Sequence, residues 1–438
     1  MSTRYIAPAS QAPAADGPAA PAAPPAGSLW RGRVVLIVGI VLLAITLRHA
    51  VTGLSPLLPL VREELGLDIA AASFLGMLPT LSFGIAGFLA PVLIRRSGAE
   101  LTAALAMVLA AVGTFSRAFT DSVPLFFVLS VVALFGMGFG NVVGAPLVKK
   151  YFPDRQAPML TVFALLMQAG ATLPAMTAVP LANAGGWQLS LASWSVLSLA
   201  AAAPWVIQLV RMRRATAAVN SSAAATLATP AKKLGLAQLV TSRIAVGTAL
   251  FYAIASFNTY GMLAWLPTIL KDSGLALGDA ALAFSAFTFM TLPMAFITPI
   301  LATRLKKVFP LAAALSLVAP VGYIGLILAP GNALVWAVIM GLGGGAFPLA
   351  ITMFNKRTRT AAGSAAIAGF AMGMGYLIGT LGPLTGGALF SATGSWVPAL
   401  IVFALTSVLM LTGGWMMTPK DRYLEDKFTT ITADSSRP

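Results

Sequence analysis

A single arginine interrupts the apolar run 34–60: Arg48, followed at once by His49, the only histidine in the chain. An arginine in the middle of a membrane-spanning helix costs about 2.5–3.5 kcal/mol on insertion scales, so it is retained where it meets a wet cavity or a partner. Its planar fork of donors matches carboxylate-like or linear anions. Thr52 and Ser55 follow at the fourth and seventh positions, placing all three on one polar stripe of a helix. Two readings of Arg48 stand open. It anchors an anionic or strongly dipolar solute, or it fixes a gate by pairing with helix-end carbonyls or with an acid near the outer mouth such as Glu63. His49, whose side-chain type has an unperturbed pKa of about 6.5, either carries a coupled proton or acts as a neutral hydrogen-bonding group.

The elements that must position these residues are membrane spans. Of 438 residues, 58% are hydrophobic and 9% charged, whereas soluble proteins are about a quarter charged. A bilayer core of roughly 30 Å requires about 20 apolar residues in helical conformation, because lipid offers nothing to an unpaired backbone group. Such runs occur at 34–60, 69–94, 101–116, 123–148, 159–182 and 189–210, then at 244–270, 280–302, 308–328, 333–354, 361–390 and 396–417. The predicted fold is therefore an all-α integral membrane protein of twelve transmembrane helices in two six-helix bundles. The net charge of +15 marks topology rather than nucleic-acid binding. With the N-terminus inside, Arg95, Arg96, Lys149, Lys150, Arg211, Arg304, Lys306, Lys307, Lys356 and Arg357 fall in cytoplasmic segments, and outer loops keep only Arg62, Arg117 and Lys271. Both termini are thus expected in the cytoplasm, and the chain in the cytoplasmic membrane.

Residues 1–29, rich in Ala and Pro, read as a disordered cytoplasmic tail, and 419–438 as a second tail. Between bundles at 30–211 and 243–418, the Ala-, Ser- and Thr-rich stretch 212–242 reads as a linker. The halves repeat: Pro59 and Gly66 correspond to Pro267 and Gly274, each 208 residues later, and Trp187 to Trp396, 209 later. Alternating access uses such a repeat, since two similar bundles rock about a solute at the midplane. The same offset carries Arg48 to Ser256 and Thr52 to Tyr260, which with Tyr252 form a facing stripe on the seventh span. Asn258 lies on another face of that helix, suited equally to helix packing and to solute. Asn141 and Gln168, deep in the fourth and fifth spans, and Tyr376, in a glycine-rich part of the eleventh, are uncharged polar groups that either line a cavity or bond helices together.

All thirteen acidic residues fall in loops or tails on this assignment, so no carboxylate is expected at the bilayer centre. Zero cysteines and one histidine exclude thiolate catalysis and histidine-rich metal sites. Gly341, Gly343, Gly344 and Gly345 lack the Lys-Ser/Thr of a phosphate loop and lie inside a span, where close helix packing is the better use. No cofactor is expected.

From 34 to 417 the chain resembles the major facilitator superfamily, and within it the cyanate and nitroimidazole transporter family. The residues that carry this are Leu47-Arg48 leading to Gly53 and Pro59, Gly140-Asn141 through Pro146 to Lys149 and Lys150, Phe152 to Arg155, Trp265-Leu266-Pro267, the run 341–348, and Gly375-Tyr376 through Gly382-Pro383. Pro91 stands where the superfamily's loop between the second and third helices has Asp, and His49 where Pro commonly follows the family's arginine. The resemblance implies a monomeric transporter with no enzymatic activity. The leading expectation is a secondary active transporter of a small anionic or polar solute, cyanate-like or similar, with candidate contacts at Arg48, His49, Thr52, Asn141, Gln168, Ser256, Asn258, Tyr260 and Tyr376. The second expectation is a proton-driven exporter of nitroimidazole-like or other drugs. A membrane sensor or embedded enzyme is disfavoured, because no soluble domain, cofactor motif or nucleophile–base pair is visible.

Overall fold

Long apolar runs satisfy their backbone groups in lipid only as helices or closed barrels, and helix is the only regular structure among the described residues. The computed structural model describes residues 33–218, 236–419 and 422–426. Four spans open the chain: α1 (Val34–Leu65), α2 (Ile69–Ser97), α3 (Ala99–Arg117) and α4 (Val123–Tyr151). A helical run Gln156–Ala218 is divided at Gly185 and Gly186, the latter at φ 80°, into α5 (156–184) and α6 (187–218). The second half contains α7 (Arg243–Asp272), α8 (Leu277–Arg304), α9 (Phe309–Leu328), α10 (Pro330–Lys356), α11 (Gly363–Thr393) and α12 (Val397–Met417). Twelve spans result, as expected. The helix α6 continues to Ala218, past the linker start expected at 212. The tail expected over 1–29, the middle of the linker and most of the tail expected over 419–438 lie outside the described residues.

The repeat is visible as structure. Gly66 closes α1 at φ 66°, and Gly274 follows α7 at φ 92°, a left-handed backbone that favours glycine in both halves. Trp187 Nε1 donates to Glu64 Oε2 at 2.7 Å, and Trp396 Nε1 donates to Asp272 Oδ2 at 2.8 Å. Each bundle thus ties the start of its last helix to the end of its first by a tryptophan donating to a carboxylate. The acids lie at helix ends rather than in loops alone. Glu100, in the first turn of α3, is buried and accepts from Lys150 and Tyr151 in the last turn of α4.

On one side of the membrane the bundles touch. A Cβ on Gly76 of α2 would come within 2.8 Å of Ala264 Cβ on α7 and 3.0 Å of Pro383 Cβ on α11. Glycine is what allows α2 to approach this closely. Toward the other side the bundles part around a central cavity, which reaches Thr303 and Lys356 at the ends of α8 and α10. The last described residues lie at that open face, since Leu424 N donates to Arg357 O next to Lys356.

Candidate solute-binding cavity

The first span is not a continuous rod. Its helical segment Val34–Thr46 ends two residues before a short helix, His49–Thr52, with Arg48 between them at φ −129° and ψ −13°. His49 Nδ1 donates to Thr46 O at 2.7 Å, supplying a carbonyl left over by the break. Its Nε2 stands 3.4 Å from both Thr114 Oγ1 and Ser198 Oγ, and the ring stacks on Trp194 at 6.2 Å. The imidazole is 1% exposed and points into its own bundle. His49 is thus removed from the cavity wall. Consecutive residues diverge at a helix break, so Arg48 turns to the cavity while its neighbour pins the break. His49→Leu should orphan the Thr46 carbonyl and lower stability by about 1–3 kcal/mol in thermal unfolding. His49→Gln should leave the pH dependence of transport unchanged between about pH 5 and 8.

The cavity is about 1510 Å³, and both bundles line it. Its closed end is formed by Arg48, Thr52, Tyr260 and Thr380. Arg48 Nη1 donates to Tyr260 Oη at 3.2 Å, a bond from one bundle to the other, and its guanidinium carbon lies 5.5 Å from the centre of the Phe83 ring. No acid pairs with Arg48 among the described residues, and Glu63 in particular does not. Thr52 Oγ1 donates to Arg48 O at 3.2 Å, bracing the break from the side opposite His49. Asn141 lines the cavity, and its Nδ2 is buried without a hydrogen-bond partner. Gln168 Nε2 donates to Thr291 Oγ1 at 2.7 Å, a second bond across the bundles. Tyr376 and Tyr252 complete a group of three tyrosines with Tyr260, and the rest of the wall is mostly apolar, including Phe163, Phe287, Phe347 and Met372.

Of the nine candidate residues, Arg48, Thr52, Asn141, Gln168, Tyr260 and Tyr376 come together on this wall, whereas His49, Ser256 and Asn258 do not. Ser256 is fully buried because Gly375 and Gly379 let α11 close over it; Cβ atoms built there would lie 3.3 Å from Ser256 Oγ and 3.0 Å from its Cβ. Asn258 Nδ2 donates to Ile254 O at 3.0 Å and to Thr406 Oγ1 at 3.2 Å, so it bonds α7 to α12. Sequence reasoning missed two basic residues. Lys356 lines the open mouth of the cavity, although its position among the cytoplasmic lysines looked purely topological. Arg117, assigned to an outer loop, ends α3 at 1% exposure; at the edge of an apolar run it is indistinguishable from a snorkelling end residue.

The Major Facilitator Superfamily profile matches residues 40–379. The 2-nitroimidazole transporter of Escherichia coli (strain K12) is 32% identical over 382 residues, covering 87% of this chain and 94% of that protein. The cyanate transport protein CynX of the same organism is 25% identical over 370 residues, with 83% and 91% covered. Among solved structures, a D-xylose-proton symporter superposes with a TM-score of 0.67 at 14% identity, over 88% of this chain and 98% of that one. That last likeness concerns the fold alone. Twelve spans in two repeated halves, parted around a cavity, agree with the profile match: this chain is a multi-pass membrane transporter and belongs to the major facilitator superfamily.

Proposed function

We propose that this chain is a secondary active transporter of a small anionic or polar planar solute, which it carries by alternating access across the cytoplasmic membrane. The observation that supports this most is Arg48, a guanidinium without a carboxylate partner at the closed end of a cavity between two bundles. A buried charge of this kind is costly unless something of opposite sign arrives. In this reading the solute accepts from Arg48, and from Asn141 Nδ2 once that buried, unpartnered amide turns to the wall, while Phe83 and the tyrosines offer flat faces to a planar solute. Tyr260 and Gln168 act as clasps that couple binding to the position of the bundles. Cyanate and 2-nitroimidazole, for which two relatives are named, agree with a small flat or linear solute. The open face is cytoplasmic by the distribution of Lys and Arg, with both termini inside and a monomer as the working unit.

A second reading, a proton-driven exporter of nitroimidazole-type drugs, draws on the size of the cavity, which far exceeds a triatomic anion. Against its proton coupling stands a wall with no acidic side chain and no histidine among the described residues. Thermal unfolding of purified protein with cyanate, benzoate, 2-nitroimidazole and tetraphenylphosphonium, beside Arg48→Ala, separates the two. Stabilisation by anions that is lost in the variant supports the first reading. Stabilisation by neutral or cationic compounds that survives in it supports the second.

A further inference from the structure

Arg117 is a second guanidinium with no acid partner among the described residues; its guanidinium carbon lies 6.0 Å from the centre of the Phe126 ring, and it is outside the cavity just described. It is 1% exposed, Nη2 donates to Ala50 O at 2.9 Å and Nη1 to Ser130 Oγ at 3.4 Å. Its Nε is buried with no partner, and no acid forms an ion pair with it among the described residues. Two neutral acceptors leave most of its five donor hydrogens unused. Isolated buried charges are among the most expensive groups a fold can hold. Beside Arg117 is a small pocket of about 40 Å³, whose lining also includes the hydroxyl-bearing residues Ser55, Ser130 and Tyr260. One ordered water needs roughly 10–15 Å³ by this measure, so the space suits a single small ion or a few waters. Val51, Tyr260 and Leu263 line both this pocket and the central cavity, and form the septum between them.

We propose that this pocket is an anion site, in which Arg117 holds a small monovalent inorganic anion, from a halide to a linear triatomic ion in size, on the far side of the septum from Arg48. The inference does not depend on the transport reading, because it rests on the charge balance of Arg117 alone. The anion has two sources: a resident halide that neutralises the buried guanidinium, or the transported solute at a second stop on its route. Ser130 and Tyr260 are hydroxyl-bearing residues of its lining, and Arg117 Nε is the guanidinium donor without a hydrogen-bond partner.

Crystals of the wild-type chain soaked in sodium bromide test this without a mutation. An anomalous peak within about 3.5 Å of the Arg117 guanidinium is expected. In parallel, the melting temperature of Arg48→Ala is followed against sodium bromide, with sodium gluconate keeping ionic strength constant. A saturable rise is expected in Arg48→Ala and none in Arg48→Ala/Arg117→Met. Displacement of the bromide by cyanate that is also transported assigns the site to the route; bromide that stays through cyanate turnover assigns it to a resident ion. No peak at Arg117, together with no bromide-specific rise in Arg48→Ala, overturns the proposal and leaves Arg117 as a brace for the Ala50 carbonyl. Because Arg48 is absent from the melting series, failure of the cavity reading and failure of this one give different results.

Discussion

Arg48→Ala is expected to abolish transport of small anions in proteoliposomes while the protein still folds and inserts. Arg48 spans the gap between the bundles through Tyr260, and its remaining donors face the cavity. Truncating one member of a buried, hydrogen-bonded charge pair costs about 2–5 kcal/mol, so the affinity for a bound anion should fall at least ~30-fold. Alanine also removes the bond to Tyr260 that joins the two bundles at the closed end of the cavity. Maximal rate and apparent affinity should therefore both decline. Arg48→Lys should impair transport as well, since an ammonium cannot offer the same planar fork to a solute and a phenol together. Uptake of labelled cyanate by the alanine variant at the wild-type rate would remove Arg48 from the mechanism. Loss of cyanate transport with 2-nitroimidazole transport intact would restrict its role to charged solutes.

Gly76→Leu is expected to shift the protein out of the state described here and to stop turnover. The clash involves only the opposite bundle: a bare Cβ at this position already meets Ala264 Cβ at 2.8 Å and Pro383 Cβ at 3.0 Å. Rigid side chains near the backbone cannot swing away, so the bundles themselves must separate. Overpacking of this kind costs about 1–3 kcal/mol, or more for a larger group. Alternating states differ by only a few kcal/mol, so such a cost can invert their populations. The native chain contains no cysteine, so spin labels can be placed without background at Glu63→Cys with Asp279→Cys on the closed face, and at Arg95→Cys with Arg304→Cys on the open face. Gly76→Leu should lengthen the first distance and shorten the second. Unchanged distances would mean that the contact between α2 and the other bundle does not control the equilibrium.

The twelve spans, the repeat and the isolated charge of Arg48 were legible because each depends on properties a sequence displays directly: apolar length, recurring turn residues and a charge in lipid. Gly66 and Gly274 were identified as equivalents from spacing, and their backbones proved equivalent too. The direction of individual side chains was less legible. Uniform helical geometry set Arg48, Thr52 and Ser55 on one stripe, but α1 breaks at Arg48 with neither proline nor glycine at the break to announce it. That break turns His49 inward, where its ring bonds the carbonyl that the break exposes. Ser256 lay on the expected stripe of α7 between Tyr252 and Tyr260, both of which reach the cavity. What covers Ser256 is a helix more than a hundred positions away, brought close by Gly375 and Gly379. Side-chain placement there is a property of a helix pair, and neither helix alone encodes it.

The wall of the cavity carries Arg48 and Lys356 but no acidic side chain and no histidine among the described residues. Neither a carboxylate nor an imidazole stands on that described wall to pick up a proton as the cargo moves. A monovalent anion that crosses without a proton moves net charge, and its distribution follows the membrane voltage. One elementary charge across 100 mV corresponds to about 2.3 kcal/mol, or roughly a 50-fold concentration ratio. In a cell with a negative interior, that voltage drives such an anion outward. Clamping proteoliposomes with potassium and valinomycin should thus reverse net flux of cyanate as the potential changes sign, and flux indifferent to voltage would point to a neutral solute or to one-for-one exchange.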